Sequence, residues 1–221
     1  MGPRSGDREN RKKSMKTAKS ANFATTPSWY DANANIFAAR TLAMNVPVEL
    51  NSMLDTLKAG SRVLDAGCGA GRDLLAIAQR GHEAEGVDGS HAMAAIAHSV
   101  SGRPVRHLDL RLFDDPAGSW DAIWCCATPL HFERAEARAI MRALGASLTA
   151  GGVMCASVKA GAGQSIDGDG RPFQFWTPAE IAADIAGAGL DLRHMSVTDT
   201  AASSGNMTRW IGVCVRKSAV S

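Results

Sequence analysis

A chain of 221 residues is long enough for one α/β domain with a sizeable core and too short for two. Hydrophobic residues make up 45% and charged residues 21%, as in ordinary globular proteins. No apolar run approaches the roughly 18 residues that span a bilayer, so a helical membrane protein is excluded. The net charge of +2 divides unevenly: residues 1–26 hold seven basic groups against Asp7 and Glu9, leaving residues 27–221 mildly acidic.

The basic N-terminus has no apolar stretch after it, so no secretory signal is expected and the expected compartment is the cytoplasm. Residues 1–26 read as a disordered tail and 27–221 as one folded domain. An acidic body counts against nucleic acid as a partner. The cysteines (Cys68, Cys125, Cys126, Cys155 and Cys214) are odd in number and lack a CxxC pair, which argues against a disulfide framework and a zinc site. Buried small hydrophobes are the expected role, with a redox or thiol function as the alternative, and no metal is expected.

In chain order, Asn45–Leu57 reads as a helix, Ser61–Ala66 as a buried strand and Arg72–Arg80 as a helix stopped by Gly81. Ala84–Val87 is a second strand ending at Asp88, and Ser90 caps a helix through Ala97. Val105–Leu108 and Asp121–Cys126 read as strands three and four. Glu133–Leu148 is amphipathic, with Ile140, Met141, Leu144 and Leu148 near one face; Gly151 and Gly152 lead from it into a fifth strand, Val153–Val158. A Gly-rich loop covers 161–170. Thr177, Pro178 and Glu180 then supply a cap, a first-turn proline and a capping-box acid for a helix ending near Gly187 or Gly189. Leu190–Val197 and Arg209–Val215, separated by the turn-rich Ala201–Asn206, read as antiparallel neighbours. The alternation predicts an α/β fold: a Rossmann-like, doubly wound, seven-stranded sheet, mostly parallel, with a C-terminal antiparallel hairpin.

The chemistry concentrates in Val63–Asp73, where the first strand meets the first core helix. Alternate glycines Gly67, Gly69 and Gly71 permit a tight turn and remove Cβ atoms that would hold a ligand away from the backbone. The helix that follows presents its first N–H groups to an anionic group. A dinucleotide fingerprint would be GxGxxG, whereas here the third glycine comes one residue early and Arg72 takes the sixth position. Asp88, 21 residues after Gly67, is placed to accept from two ribose hydroxyls, or else braces the turn beside Ser90.

This DxGxGxG loop resembles motif I of class I S-adenosylmethionine-dependent methyltransferases. Tyr30-Asp31-Ala32-Asn33-Ala34 with Ala39-Arg40-Thr41 is similar to the pre-core helix of small bacterial, tellurite-resistance-like methyltransferases. Trp120–Cys126 with Ala127-Thr128-Pro129-Leu130-His131, and Val158-Lys159-Ala160-Gly161 with Gly170-Arg171-Pro172-Phe173, also resemble segments of that group. Departures are Pro129 for a leucine, Cys125 for an alanine and Gln164 for an acid, all toward the acceptor side.

The resemblance implies S-adenosyl-L-methionine as cofactor. It would be held by Tyr30, Asp65, Gly67, Cys68, Gly69, Gly71, Asp88, Gly89, Ser90, Asp109, Leu110 and Ala127. Asp65 would lie near the methionine end and Asp109 near the adenine amino group, with Asp114 and Asp115 as alternative acids; Tyr30 would close over the cofactor. His131 is the candidate base or acceptor-orienting group, or else a packed residue. Thr128 and Tyr30 are candidate positioning groups. Lys159 and Arg171 are placed to bind an anionic acceptor, and Phe173, Phe175 and Trp176 form a lid or the underside of the Gly-rich loop. The asparagine-proline-proline-aromatic motif of nucleobase-methylating enzymes is absent after strand four, which favours a small-molecule methyl acceptor over DNA or RNA. The alternatives are a non-catalytic methyltransferase-like binding module that uses the basic tail, and an NAD(P)-binding oxidoreductase.

Overall fold

The computed structural model describes residues 21–201 and 207–217. Its strands are β1 (Arg62–Ala66), β2 (Glu83–Asp88), β3 (Val105–His107), β4 (Trp120–Cys125), β5 (Leu148–Ala160), β6 (Gln164–Ile166), β7 (Pro172–Trp176), β8 (Leu190–Ala201) and β9 (Met207–Lys217). The helices are α1 (Thr26–Leu42), α2 (Val48–Leu54), α3 (Arg72–Gln79), α4 (His91–Ser101), α5 (Arg134–Ser147) and α6 (Pro178–Gly187).

Parallel pairing joins β3, β2, β1, β4 and β5, and antiparallel pairing adds β9 and then β8. These are the seven expected strands. Two more, β6 and β7, form a hairpin that interrupts the expected Gly-rich loop, with β7 running beside the end of β5. The exposed Gln164–Ile166 is too short and polar to show a strand pattern, and only its pairing with Pro172–Gln174 makes it one.

The sheet is packed on both faces. Leu64, Ile123, Met154 and Val213 meet α5 and α6 through Ile140, Leu144, Ile181 and Ile185. Val63, Ala122 and Trp124 meet α2 and α3 through Leu50, Leu54, Leu74 and Ile77. The capping box of α6 is present as expected, with Thr177 accepting from the Glu180 backbone. The helix expected over Asn45–Leu57 is shorter, because Pro47 sets an extended entry and Val48 begins it. No helix of the described residues is long and apolar enough to cross a membrane.

Two expectations are corrected here. The folded body begins before Pro27: Phe23, the one aromatic in residues 1–26, is 3% exposed, and Thr26 is buried. The first 20 residues of the expected tail, and residues 202–206 of the expected turn, lie outside the described residues. Cys155 and Cys214 are not free hydrophobes but a disulfide, since β5 and β9 pair them directly across the strands. An odd cysteine count says nothing about one such pair. Cys68, Cys125 and Cys126 are free thiols; burial pushes each of them well above the ordinary range, Cys126 to about 12, which suits apolar filler rather than a reactive thiol.

The disulfide closes a sequence separation of 59 residues. Cross-links of that span stabilise by about 2–4 kcal/mol through the unfolded chain. Cys214→Ala is therefore expected to lower the urea midpoint, and dithiothreitol to lower wild type to the same value. Equal midpoints for oxidised and reduced wild type would contradict this.

Candidate active site

The loop after β1 is pinned to β2: Gly67 and Cys68 donate their N–H groups to the Val87 carbonyl at 2.7 and 3.0 Å. Gly67, Gly69 and Gly71 all have left-handed φ, at 80°, 53° and 86°. Their roles differ. A Cβ on Gly67 would lie 2.1 Å from Thr128 Oγ1, whereas one on Gly69 would meet nothing within 4 Å. A Cβ on Gly71 would lie 2.8 Å from the Ala97 Cα, so this glycine lets α3 approach α4 and does not line the cavity. Of the three glycines expected to hold the ligand, Gly67 and Gly69 are in the cavity lining.

Asp88 ends β2 with both oxygens occupied by backbone donors: Oδ2 accepts from Gly69 N and Oδ1 from Ser90 N, each at 2.8 Å. Each oxygen keeps a second lone pair, and the side chain lines the cavity, so bracing the turn and accepting a ribose hydroxyl are compatible. Burial raises its pKa. Asp65 lies beneath the loop, 2% exposed, rather than on the cavity wall. Its Oδ2 is buried without a partner, and burial, then Asp73 and Asp88, push its pKa well above the carboxylate range.

Asp109 and Leu110 line the cavity together. Asp109 is held by the Arg111 backbone at 3.0 Å and guanidinium at 2.9 Å, while Asp115 is engaged by Arg106 and Trp120. Of the three candidate acids, Asp109 is the one in the cavity lining.

The cavity, about 690 Å³, brings together Tyr30, Gly67, Cys68, Gly69, Asp88, Gly89, Ser90, Asp109, Leu110, Ala127, Thr128 and His131. At its centre the Tyr30 hydroxyl meets His131 Nε2 at 2.9 Å. Burial raises the Tyr30 phenol to about 12. Burial, then the charges of Arg171 and Lys159, lower His131 to about 3. His131 is thus neutral at physiological pH and a weak base. Its Nδ1 is buried with no partner in hydrogen-bonding geometry.

Thr128 is 8% exposed and donates to the Cys126 carbonyl at 3.1 Å, packing under Gly67 as a support for the loop. Ala127 is the one non-glycine among the described residues with positive φ, 52°, and its N–H donates to Ser157 Oγ at 2.9 Å. Strain of that kind collects at functional sites. Arg171 is paired with Asp167 at 2.7 Å and lies over the Trp29 ring, so β7 and α1 close one side of the cavity. Phe173 lines that wall. Of the two readings, lid or underside, Trp176 takes the buried one: it is fully buried and donates to Asp184 at 3.0 Å. Phe175 packs under Gly161, the underside alternative.

Several functional neighbours escaped the sequence reading. Asp31 of α1 accepts from Ser90 Oγ at 2.6 Å and Ala92 N at 2.9 Å, tying α1 to the start of α4. Asp73 accepts from Arg72 and from the Trp124 indole at 2.9 Å, behind Asp65. Asp31 carried a signal only as part of the Tyr30–Ala34 segment, and Asp73 as an acid in the first turn of a helix.

These features fit S-adenosylmethionine. Gly67 and Gly69 leave a cradle that a Cβ would fill or face, Asp65 keeps an unpartnered buried oxygen beneath the loop, and Asp88 lines the cavity with lone pairs free for a ribose. Comparison with known proteins agrees. The methyltransferase-domain family matches residues 63–152. The ubiquinone biosynthesis O-methyltransferase of Xanthomonas axonopodis pv. citri is 29% identical over 210 residues, covering 81% of this chain and 86% of that one. The 1,6-didemethyltoxoflavin-N1-methyltransferase of Burkholderia thailandensis, solved with its acceptor and S-adenosylhomocysteine, superposes with a TM-score of 0.69 at 18% identity, covering 99% of this chain and 93% of that one. A TehB-like SAM-dependent methyltransferase of Corynebacterium glutamicum gives a TM-score of 0.65 at 16% identity, covering 84% and 98%.

The fold and the loop define a class I methyltransferase domain. Residues 63–152 carry the methyltransferase domain, in the fold of S-adenosylmethionine-dependent methyltransferases, and S-adenosylmethionine is the cofactor that domain implies.

Proposed function

We propose that this enzyme transfers a methyl group from S-adenosylmethionine to a small, anionic acceptor, with alignment rather than base catalysis as its main contribution. The observation that carries this reading is the Tyr30–His131 pair at the centre of a cavity that continues past the glycine loop toward Lys159 and Arg171.

When bound, S-adenosylmethionine supplies an electrophilic methyl group on a cationic sulfur. Gly67 and Gly69 would bring backbone close to it, Asp88 would accept from its ribose, and Asp109 and Leu110 would border its adenine. Tyr30, held by neutral His131, covers the reacting face and keeps water out, which favours a step that disperses charge. His131 at about 3 takes a proton reluctantly, which favours the acceptor-orienting reading over the base. Thr128 supports the loop. The acceptor is then one that ionises readily or reacts through a lone pair, helped by the positive field of Lys159 and Arg171.

Calorimetry with S-adenosylhomocysteine is expected to show micromolar binding, followed by turnover in an acceptor screen that reads S-adenosylhomocysteine release. The kcat/KM profile is expected to lack a His131 limb between about pH 5 and 8, because its lowered pKa keeps it neutral throughout. His131→Gln then lowers kcat without changing the profile's shape. Absence of binding at millimolar ligand would sink the reading.

A further inference from the structure

Beyond Tyr30 and His131 the cavity follows one face of β5, β9 and β8. Antiparallel register sets Lys159 opposite Trp210, and Trp210 opposite Thr198. Ser157, Gly212 and Ser196 form the next row. Directly opposed residues of paired strands project from the same face, and all six line the cavity.

The first row is an ammonium, an indole and a hydroxyl side by side. Lys159 has no carboxylate within salt-bridge distance among the described residues, whereas neighbouring Arg171 is paired with Asp167. The Lys159 ammonium lies 3.4 Å from the Phe173 ring centroid, and the Phe173 and His131 rings are 5.2 Å apart. Half-buried between an aromatic face and the Arg171 charge, it has its pKa held below the usual lysine range by burial first and Arg171 second. An ammonium so placed gains from an anion that enters the cavity. Trp210 is fixed in orientation, its Nε1 donating to Thr200 Oγ1 at 3.1 Å, and offers a flat apolar surface next to that charge. Ser196, Thr198 and Thr208 surround it with hydroxyls.

We propose that this row is the acceptor subsite, and that the acceptor is an aromatic acid: its carboxylate pairs with Lys159, its ring lies on Trp210, and its polar substituents meet Thr198 and Ser196. The inference rests on the methyltransferase reading and names the substrate class. A single ring anchored at Lys159 lies one aromatic neighbour from the Tyr30–His131 pair, where the nucleophile must be held in line with the methyl group.

The test uses two ligands that differ by one carboxylate, 3,4-dihydroxybenzoate and catechol, titrated calorimetrically into protein saturated with S-adenosylhomocysteine. Wild type is expected to bind the acid about 10-fold more tightly, the scale of one charge-assisted pair. Lys159→Gln is expected to bring the two within about 2-fold while S-adenosylhomocysteine affinity stays the same, and Trp210→Leu to weaken both ligands alike. The proposal is overturned if wild type binds neither ligand or both equally, or if the preference persists in Lys159→Gln. A tenfold loss of S-adenosylhomocysteine affinity in Lys159→Gln also overturns it, since the lysine would then hold the cofactor's carboxylate. Failure of wild type to bind S-adenosylhomocysteine at all is a separate result and defeats the methyltransferase reading instead.

Discussion

Gly67→Ala is expected to lower S-adenosylhomocysteine affinity about 100-fold or more, the scale of a roughly 1 Å misplacement in a binding site. Two independent causes act at this position. Its φ of 80° is left-handed, which costs an L-residue about 1–2 kcal/mol. The new Cβ would also overlap Thr128, at 2.1 Å from Oγ1 and 2.5 Å from Cγ2. Thr128 has little room to retreat, because it is buried, bonded to the Cys126 carbonyl and followed by Pro129. The loop must move instead, and with it the Gly69 amide that Asp88 holds. Gly67→Ala/Thr128→Gly removes the overlap but not the φ strain, so about a tenth of the lost affinity is expected to return. Gly69→Ala is the contrast: its Cβ meets nothing in the protein, so it carries the strain of a left-handed φ of 53° without the overlap, leaves the melting temperature closer to wild type, and loses affinity through that strain and the methyl group facing the ligand. Calorimetry and thermal denaturation of the four proteins separate these causes, and wild-type affinity in Gly67→Ala would refute the argument.

Signals that live in local backbone were legible in the sequence. The glycine spacing, the Ser90 cap and the Thr177–Glu180 capping box each follow from a few adjacent residues, and each is present as read. Seven core strands followed from alternating patterns. What depends on register was not legible. The Cys155–Cys214 bond and the Lys159–Trp210 row exist because β5 and β9 pair at one offset and not its neighbours. Gly71 shows a finer limit. Its conformation was readable, but whether a missing Cβ serves a ligand or a helix depends on Ala97, 26 residues on in sequence. His131 was found from its place after strand four, while its protonation was not, because burial, Lys159 on β5 and Arg171 just before β7 decide it.

Asp65→Asn is expected to stabilise the protein without ligand and to weaken its hold on the cofactor. In the fold Asp65 is buried, has one oxygen without a partner, and lies near the carboxylates of Asp73 and Asp88. Its folded pKa therefore stands well above the unfolded value near 4. The sign follows from linkage: stability from the protonated carboxyl is fully present below about pH 4 and is lost as pH rises through the folded pKa. Near neutrality the native state carries an acid it accommodates poorly. Asparagine keeps the shape and the oxygen that accepts from the Leu74 backbone but carries no charge, so its advantage grows with pH above 4. For a chain of this size each kcal/mol moves Tm by about 2–4 °C. Ligand binding should reverse the order. A cationic cofactor end above Asp65 supplies the missing counter-charge, so wild type gains more from saturating S-adenosylhomocysteine than Asp65→Asn does, with an affinity difference of about 10-fold or more. Tm measured at pH 5, 7 and 8.5, with and without ligand, tests both halves. A variant less stable than wild type at every pH would make Asp65 a structural brace. Crossed stabilities would instead mean that the fold tolerates an unfavourable buried charge because the cofactor needs it.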